Sequence, residues 1–136
     1  MSIESTLPRH RAIGILGRAF FTLIFFLSGI THFSDMPGYV RLMHESIPFR
    51  EFWVAISGIV ELVGAIMILF DRYARLGGWL LVLFLVPVTI TVHGVEMINA
   101  EDPVTRATQL SFFLKGIAMT GGALLITQLG VRSSDS

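Results

Sequence analysis

The chain has 136 residues, enough for one compact domain, and equal numbers of acidic and basic residues give it a formal net charge of zero. Apolar residues make up 53% of the chain and charged residues only 15%, against about 25% charged residues in soluble domains, which predicts a surface that faces lipid. The charge gives no support for nucleic-acid binding, and the absence of cysteine excludes disulfides, thiolate metal sites, iron–sulfur clusters and covalent c-type haem.

Four apolar segments predict an all-α membrane protein, a four-transmembrane-helix bundle formed by a single domain over residues 1–136. Each segment is close to the ~20 residues that a helix needs to cross ~30 Å of hydrocarbon. The predicted spans are residues 13–33, 52–70, 76–98 and 107–129. The first span follows a basic segment and is longer than the apolar core of a cleavable signal peptide, so we expect a retained signal anchor.

The connections between the spans carry turn and capping residues. Residues 34–51 contain two prolines and a glycine, which predicts a loop with one short interfacial helix at about residues 39–46. Residues 71–75 predict a tight turn, and residues 99–106 an acidic loop that caps the last helix. Pro87 predicts a kink in the third span.

The distribution of arginine outside the spans predicts the orientation. The N-terminus, the second loop and the C-terminus carry five basic residues (Arg9, Arg11, Arg72, Arg75 and Arg132), and the first and third loops carry three (Arg41, Arg50 and Arg106). Because basic residues favour the cytoplasmic side, we expect both termini to be cytoplasmic. The expected location is a bacterial or archaeal cytoplasmic membrane.

Six ionisable residues lie within the spans or at their edges, although a charge in mid-membrane costs about 2.5–3.5 kcal/mol even on the most lenient scale. They are Arg18, His32, Glu61, His93, Glu96 and Lys115. At ~1.5 Å per residue, all except Arg18 lie between the midplane and the outer face. Each falls on one polar or small-residue stripe of its helix, which predicts that the stripes converge inside the bundle. On the first helix that stripe is Arg18, Thr22, Phe25, Gly29 and His32, and on the last helix it is Thr108, Ser111 and Lys115.

These residues have structural as well as functional interpretations. In the structural interpretation, Glu61 pairs with Arg18 or with Lys115, and the ion pair specifies the fold. His93 and Glu96 form either a hydrogen-bonded pair or, with His32, a metal site; ligation of haem by His32 and His93 is a further alternative. Of these, we predict no metal site, and Glu96 is most simply an interfacial charge.

A series of short motifs resembles the DoxX family over about residues 14–127. The motifs are Gly17-Arg18, Ser28-Gly29-Ile30 with His32-Phe33, Pro48, Glu61-Leu62-Val63-Gly64, His93, Phe112-Phe113-Leu114-Lys115 and Gly121-Gly122-Ala123. The chain departs from the family pattern at His32, where a lysine is frequent, and at Gly116, where an asparagine is frequent. The resemblance implies a four-helix membrane bundle in which Arg18, Glu61, His93 and Lys115 matter.

The resemblance also implies a function, because some family members look like the membrane subunit of thiosulfate:quinone oxidoreductase and others associate with redox or detoxification complexes. We therefore expect a membrane component of a quinone-linked oxidoreductase system. Glu61, His93 and Lys115 are the expected catalytic residues, and Arg18, His32 and Glu96 the expected binding residues. The expected cofactor is a non-covalent quinone, and the first electron carrier is expected in a partner subunit. The alternatives are a non-enzymatic membrane scaffold or assembly subunit, and a small transporter that works as a homo-oligomer.

Overall fold

The computed structural model describes residues 3–7 and 10–129, and all the regular structure in these residues is helical. A 3₁₀ turn at Ile3–Thr6 precedes six α-helices and one π-helical segment. The helices are α1 (Arg11–Ser34), α2 (Met36–Leu42), α3 (Arg50–Leu69), α4 (Ala74–Val88), the π-helical segment (Thr89–Gly94), α5 (Val95–Asn99) and α6 (Pro103–Thr127).

Four helical stretches are long and apolar enough to cross a membrane. They are Arg11–Ser34, Arg50–Leu69, Ala74–Asn99 and Pro103–Thr127, and the third consists of α4, the π-helical segment and α5. Large apolar side chains also cover the outside of the bundle; Phe20 and Leu125, for example, are 74% and 72% exposed. The prediction of an all-α, four-transmembrane-helix bundle is confirmed, and the chain is an integral membrane protein.

The long helices pack in chain order, α1 against α3, α3 against α4 and α4 against α6. Small residues allow these close approaches. A Cβ atom on Gly58 would lie 2.9 Å from the Cβ atom of His32 on α1, and one on Gly77 would lie 2.7 Å from the backbone oxygen of Gly64 on α3. The buried apolar core lies between the four helices and includes Phe25, Ala65, Ile68, Leu81, Leu85 and Ala123.

The third span changes its helical form directly after Pro87. Proline has no N–H group to donate to the preceding turn, and its ring crowds the carbonyl there, so a regular helix is disturbed. The span continues as a π-helical segment at Thr89–Gly94, in which the hydroxyl of Thr91 donates to the carbonyl of Pro87 at 2.7 Å. The helix returns to α form at Val95, so the segment that carries His93 is the irregular part of this span.

The connecting residues fix the helix ends. Asp35 caps the N-terminus of α2, and Pro37 lies in the first turn of this helix. Because these two residues start the helix, α2 lies three to four residues earlier than the predicted interfacial helix. Residues 70–73 connect α3 to α4, with Asp71 and Tyr73 in the left-handed backbone region. Asp102 caps α6 by accepting from the backbone N–H of Thr105 at 2.8 Å, and hydrogen bonding from Thr105 lowers the pKa of Asp102.

Candidate functional site

A buried polar cluster lies where α1 crosses α3. Glu61 on α3 is 1% exposed and His32 on α1 is 4% exposed. The hydroxyl of Ser28 donates to Oε2 of Glu61 at 3.2 Å, and the same oxygen lies 3.5 Å from Nδ1 of His32. We call these three residues the α1–α3 polar cluster. It satisfies a carboxyl group that would otherwise be isolated in an apolar interior.

The hydrogen bonds of His32 determine which ring nitrogen carries a proton. Nδ1 lies 2.8 Å from the backbone carbonyl oxygen of Ser28, which can only accept, so Nδ1 donates. The carboxyl group of Glu61 is a second acceptor beside the same N–H. In the neutral ring, Nε2 is then unprotonated and can accept a proton.

Two aromatic rings hold the imidazole of His32 in place. The ring of Tyr39, from α2, stacks on it with centroids 3.9 Å apart, and Phe84 from α4 approaches it edge-on at 5.9 Å. The hydroxyl of Tyr39 is 2.7 Å from the hydroxyl of Thr31, which fixes α2 against the end of α1. The short helix thus covers the α1–α3 polar cluster on the side of the first loop.

A cavity of about 760 Å³ opens beside this cluster. Its walls come from α1, α2, α3, α4 and the π-helical segment, and they are mainly apolar. The polar side chains in the wall are Ser28, His32, Tyr39, Ser57, Thr91 and His93. Glu61 does not line the cavity but reaches it through its contacts with Ser28 and His32.

His93, in the π-helical segment, is held in place by two side chains of α6. Its Nδ1 atom lies 3.0 Å from Oε1 of Gln109, and its ring lies 5.3 Å from the ring of Phe112. Because the amide oxygen accepts, Nδ1 of His93 donates, and Nε2 is the nitrogen left for a ligand. His32 and His93 thus line one cavity from two spans, each with Nδ1 already engaged.

The other three predicted site residues lie elsewhere. Arg18 pairs with Asp71 at 3.4 Å, near the opposite end of the bundle from His32, and not with Glu61. Glu96 is exposed on α5. Lys115 is exposed on α6, where its ammonium group lies 5.3 Å from the centre of the Phe112 ring.

The inward-facing stripe predicted for the last helix is therefore not formed, because Thr108, Ser111 and Lys115 are all exposed. Instead, α6 presents Gly116, Ala123 and Thr127 to the bundle. Of the six predicted residues, His32 and Glu61 are in contact, and His93 lines the same cavity as His32.

The metal alternative requires three ligands close together. Within residues 3–7 and 10–129, no three side chains of His, Cys, Asp or Glu form such a group. In particular, His32 contacts Glu61 while His93 contacts Gln109, and Glu96 is exposed. The three residues considered for a metal site therefore do not assemble one.

Three residues of the site are not among the predicted ones: Ser28, Tyr39 and Gln109. The prediction rests on ionisable side chains inside the spans, so it contains neither the hydroxyl of Ser28 nor the amide of Gln109. An unpaired amide in lipid is also costly, so Gln109 carried a usable signal. Tyr39 had none, because nothing local indicates that a loop helix folds back over α1.

Comparison with known proteins gives one match. A family model described as DoxX matches residues 14–94, more than half of the chain, from α1 through the π-helical segment. No curated protein and no solved structure matches the chain significantly. The matched residues include His32, Glu61 and His93, whereas Gln109 and Lys115 lie beyond them.

Proposed function

This chain is a member of the DoxX family, and we propose that it is the membrane component of a quinone-linked oxidoreductase whose quinone binds in the cavity beside the α1–α3 polar cluster. The observation that carries the proposal is the lining of this cavity. Its walls are mainly apolar, and they contain two histidines whose Nδ1 atoms are already hydrogen-bonded.

The size and lining of the cavity suit a quinone. Sites for small organic ligands usually measure about 300–1,000 Å³ and combine apolar walls with a few polar groups that set the orientation. The cavity has about 760 Å³ and is lined by Leu83, Phe84 and Val88 among other apolar side chains. A quinone ring with two carbonyl oxygens needs apolar contacts for the ring and hydrogen bonds for the oxygens.

His32 supports proton exchange with such a ligand. With Nδ1 donating to the carbonyl of Ser28, the Nε2 atom can accept a proton from a quinol hydroxyl or return one to a quinone oxygen. The carboxyl group of Glu61, 3.5 Å from Nδ1, would stabilise the positive charge on the ring in the protonated state. This is the role that a buried carboxylate has beside a catalytic histidine.

His93 provides the second hydrogen-bonding group. Gln109 fixes its Nδ1 atom, so that Nε2 is again the free nitrogen. Reduction of one quinone consumes two electrons and two protons. Each histidine, once it has taken up a proton from water at Nε2, would donate a hydrogen bond to one quinone oxygen and deliver that proton to it, and would return to the neutral form with Nδ1 still hydrogen-bonded. Lys115, expected to stabilise negative charge on the ligand, does not line the cavity and has no part in this step.

The two electrons must come from another protein. The sequence has no motif for a flavin, a haem or an iron–sulfur cluster, so a partner subunit with a redox centre is the proposed donor. The chain would then supply the quinone site and its protons, and the partner would supply the reducing equivalents. This division agrees with the resemblance to membrane subunits of redox complexes.

Intrinsic fluorescence offers a direct test of quinone binding. The chain has two tryptophans, of which Trp53 lines the cavity and Trp79 does not. In a Trp79→Phe background, titration of a short-chain ubiquinone or menaquinone analogue should quench Trp53 saturably. His93→Ala and His32→Ala should each raise the Kd by about tenfold, the value of one lost hydrogen bond.

His44→Ala is the matched control, because His44 is exposed and does not line the cavity. It should leave the Kd unchanged. Each variant is first shown to retain its helical circular dichroism and its elution volume in detergent. Quenching that does not saturate, or that is equally weakened by His44→Ala, would contradict a quinone site in this cavity.

One observation favours a non-enzymatic scaffold as the second candidate. The α1–α3 polar cluster lies at a close helix crossing, where a buried polar group can set the register of two helices. A scaffold would need Glu61 for assembly only. A complex with the partner that assembles and whose quinone reduction is unchanged by His32→Ala, His93→Ala and a normally folded Glu61→Gln would favour this second function.

A further inference from the structure

Lys115 is exposed half-way along the last transmembrane helix. It has twelve residues of α6 on each side, between Pro103 and Thr127. Gly116, the next residue, packs against Thr89 in the third span, and a Cβ atom at Gly116 would collide with the Thr89 side chain. The ammonium group therefore starts from the central part of the bundle, about 18 Å from either end of the helix.

Lipid does not satisfy a charge at this depth. The contact of Lys115 with the Phe112 ring, at 5.3 Å, is a weak partner for an ammonium group. Lipid headgroup phosphates lie at the edge of a hydrocarbon layer ~30 Å thick, and four methylenes do not cover the half-thickness. A mid-membrane cation therefore requires a nearby anion or acceptor in a protein.

The face that carries Lys115 is also grooved. The groove has a volume of about 520 Å³, and all seven residues that line it belong to α6. Ala107, Thr108 and Ser111 give it a floor of small side chains, and Phe112 and Lys115 close one end. Small residues on an exposed transmembrane face allow another helix to approach closely, and hydroxyls can bond across the contact.

We propose that this face of α6, defined by Ala107, Thr108, Ser111 and Lys115, docks a transmembrane helix of a different protein that presents a carboxylate to Lys115. The carboxylate neutralises the ammonium group where lipid cannot. The groove accommodates the partner helix, and the hydroxyls of Thr108 and Ser111 bond to it. The inference is independent of the quinone proposal, because no residue of the groove lines the quinone cavity.

A second copy of the chain fits this face less well. In a symmetric dimer the two Lys115 side chains would face each other at the same depth and repel. Among the described residues, the spans contain two acids besides those at their ends, Glu61 and Glu96. Glu61 is buried, and Glu96 lies near the outer end of its span. Gly94 packs beside Phe113, which places Glu96 about one turn closer to the membrane surface than Lys115.

The test uses a designed transmembrane helix as the partner. The probe is a Leu/Ala peptide of about 23 residues, long enough to span, with one glutamate at its centre; the reference peptide has glutamine there. The full chain, labelled at Glu101→Cys, is reconstituted with the labelled peptide in phosphatidylcholine vesicles. Energy transfer should report association with the glutamate peptide, and Lys115→Met should weaken it about three- to tenfold.

Two variants keep the result interpretable. Lys115→Arg should retain the association because it keeps the positive charge, and Leu114→Met, at the neighbouring lipid-facing position, should not change it. Equal association of the glutamine peptide, or association that survives Lys115→Met, would overturn the proposal. Energy transfer between two labelled copies of the chain would also overturn the proposal if Lys115→Met or Glu96→Gln abolished it. Such a result would show that this face of α6 serves self-association.

Discussion

Glu61 shows how a single ionisable residue is tolerated inside this bundle. It is fully buried, yet its Oε2 atom has the Ser28 hydroxyl at 3.2 Å and the His32 ring N–H at 3.5 Å. Both partners come from α1, four residues apart and therefore on the same side of the helix. The partners predicted for Glu61, Arg18 or Lys115, are wrong, because charge alone suggests a cation and not a hydroxyl.

Replacement of Ser28 by alanine tests the value of this hydrogen bond. The substitution leaves the carboxyl group of Glu61 buried with one partner fewer, so Ser28→Ala should lower the free energy of unfolding by about 0.6–2 kcal/mol. Unfolding in mixed detergent micelles followed by circular dichroism measures it. Ser111→Ala removes a hydroxyl from an exposed face and should change stability by less than about 0.5 kcal/mol. Equal effects would show that the Ser28 contact has no special value.

Gln109 acts on the proposed ligand only through His93. It accepts from Nδ1 of the ring, so it fixes which ring nitrogen is left for a ligand. Gln109→Leu should weaken binding of the quinone analogue about threefold to tenfold, and Gln109→Glu, which still offers an acceptor oxygen, should retain affinity within about threefold. If leucine and glutamate at this position give the same Kd, Gln109 does not position the ring.

At the scale of the helices, burial follows the predicted stripe closely on α1 and not on α6. The buried residues of α1 are Thr22, Phe25, Gly29 and His32, all members of the predicted stripe. The polar stripe of α6 faces outward instead. Helical spacing shows which residues share a face, but it does not show what that face meets. For α1 the polar face meets α3, whereas for α6 the partner lies outside this chain if the docking proposal is correct.

The π-helical segment was predictable only in part. Pro87 indicated a disturbance of the third span, and the structure has a change of helical form directly after it. The type of disturbance depends on how Thr89 and Gly94 pack against α6, where Gly116 and Phe113 lie beside them. Such long-range contacts are not readable from local sequence. π-Helical turns are frequent at functional sites, and this one carries His93.

The crossing of α1 and α3 can be tested with a matched pair of glycines. A Cβ atom at Gly58 would lie 2.9 Å from the Cβ atom of His32 and 3.3 Å from the backbone oxygen of Gly29, so the two helices must separate. Gly58→Ala should therefore destabilise the protein by about 1–3 kcal/mol and weaken quinone binding by moving His32. Gly121 has open space around its Cβ position.

Gly121→Ala is thus the control for Gly58→Ala. Alanine favours a helix over glycine by about 1 kcal/mol, so this variant should be as stable as the parent or more so. Thermal unfolding in detergent and the Trp53 titration measure both effects. A Gly58→Ala protein as stable as Gly121→Ala would mean that α1 and α3 do not pack as closely as the structure describes.

At the scale of the whole molecule, the fold class followed from hydropathy because the bilayer leaves few solutions. Lipid cannot hydrogen-bond a backbone, so four apolar segments of sufficient length must be helices. The cavity could not be foreseen in the same way. It depends on α2 folding back so that Tyr39 stacks on His32, and on the displacement of the helix after Pro87. Both are properties of the assembled bundle.

The orientation of the bundle decides which leaflet the cavity faces. The predicted orientation has both termini in the cytoplasm. In that orientation the first and third loops lie outside, and the proposed quinone site, bounded by α2 and the end of α1, opens in the outer half of the membrane. The chain has no cysteine, so single cysteines report topology without a background. Glu101→Cys marks the third loop, and Phe70→Cys marks the second.

A membrane-impermeant maleimide should label Glu101→Cys in intact cells and Phe70→Cys only after the membrane is permeabilised. The physical reason is the excess of arginine at the termini and in the second loop, which favours retention on the cytoplasmic side. Labelling of both variants after permeabilisation controls for accessibility of the thiol. The reverse pattern would invert the molecule, and protons exchanged at His32 would then be taken from or released to the cytoplasmic side.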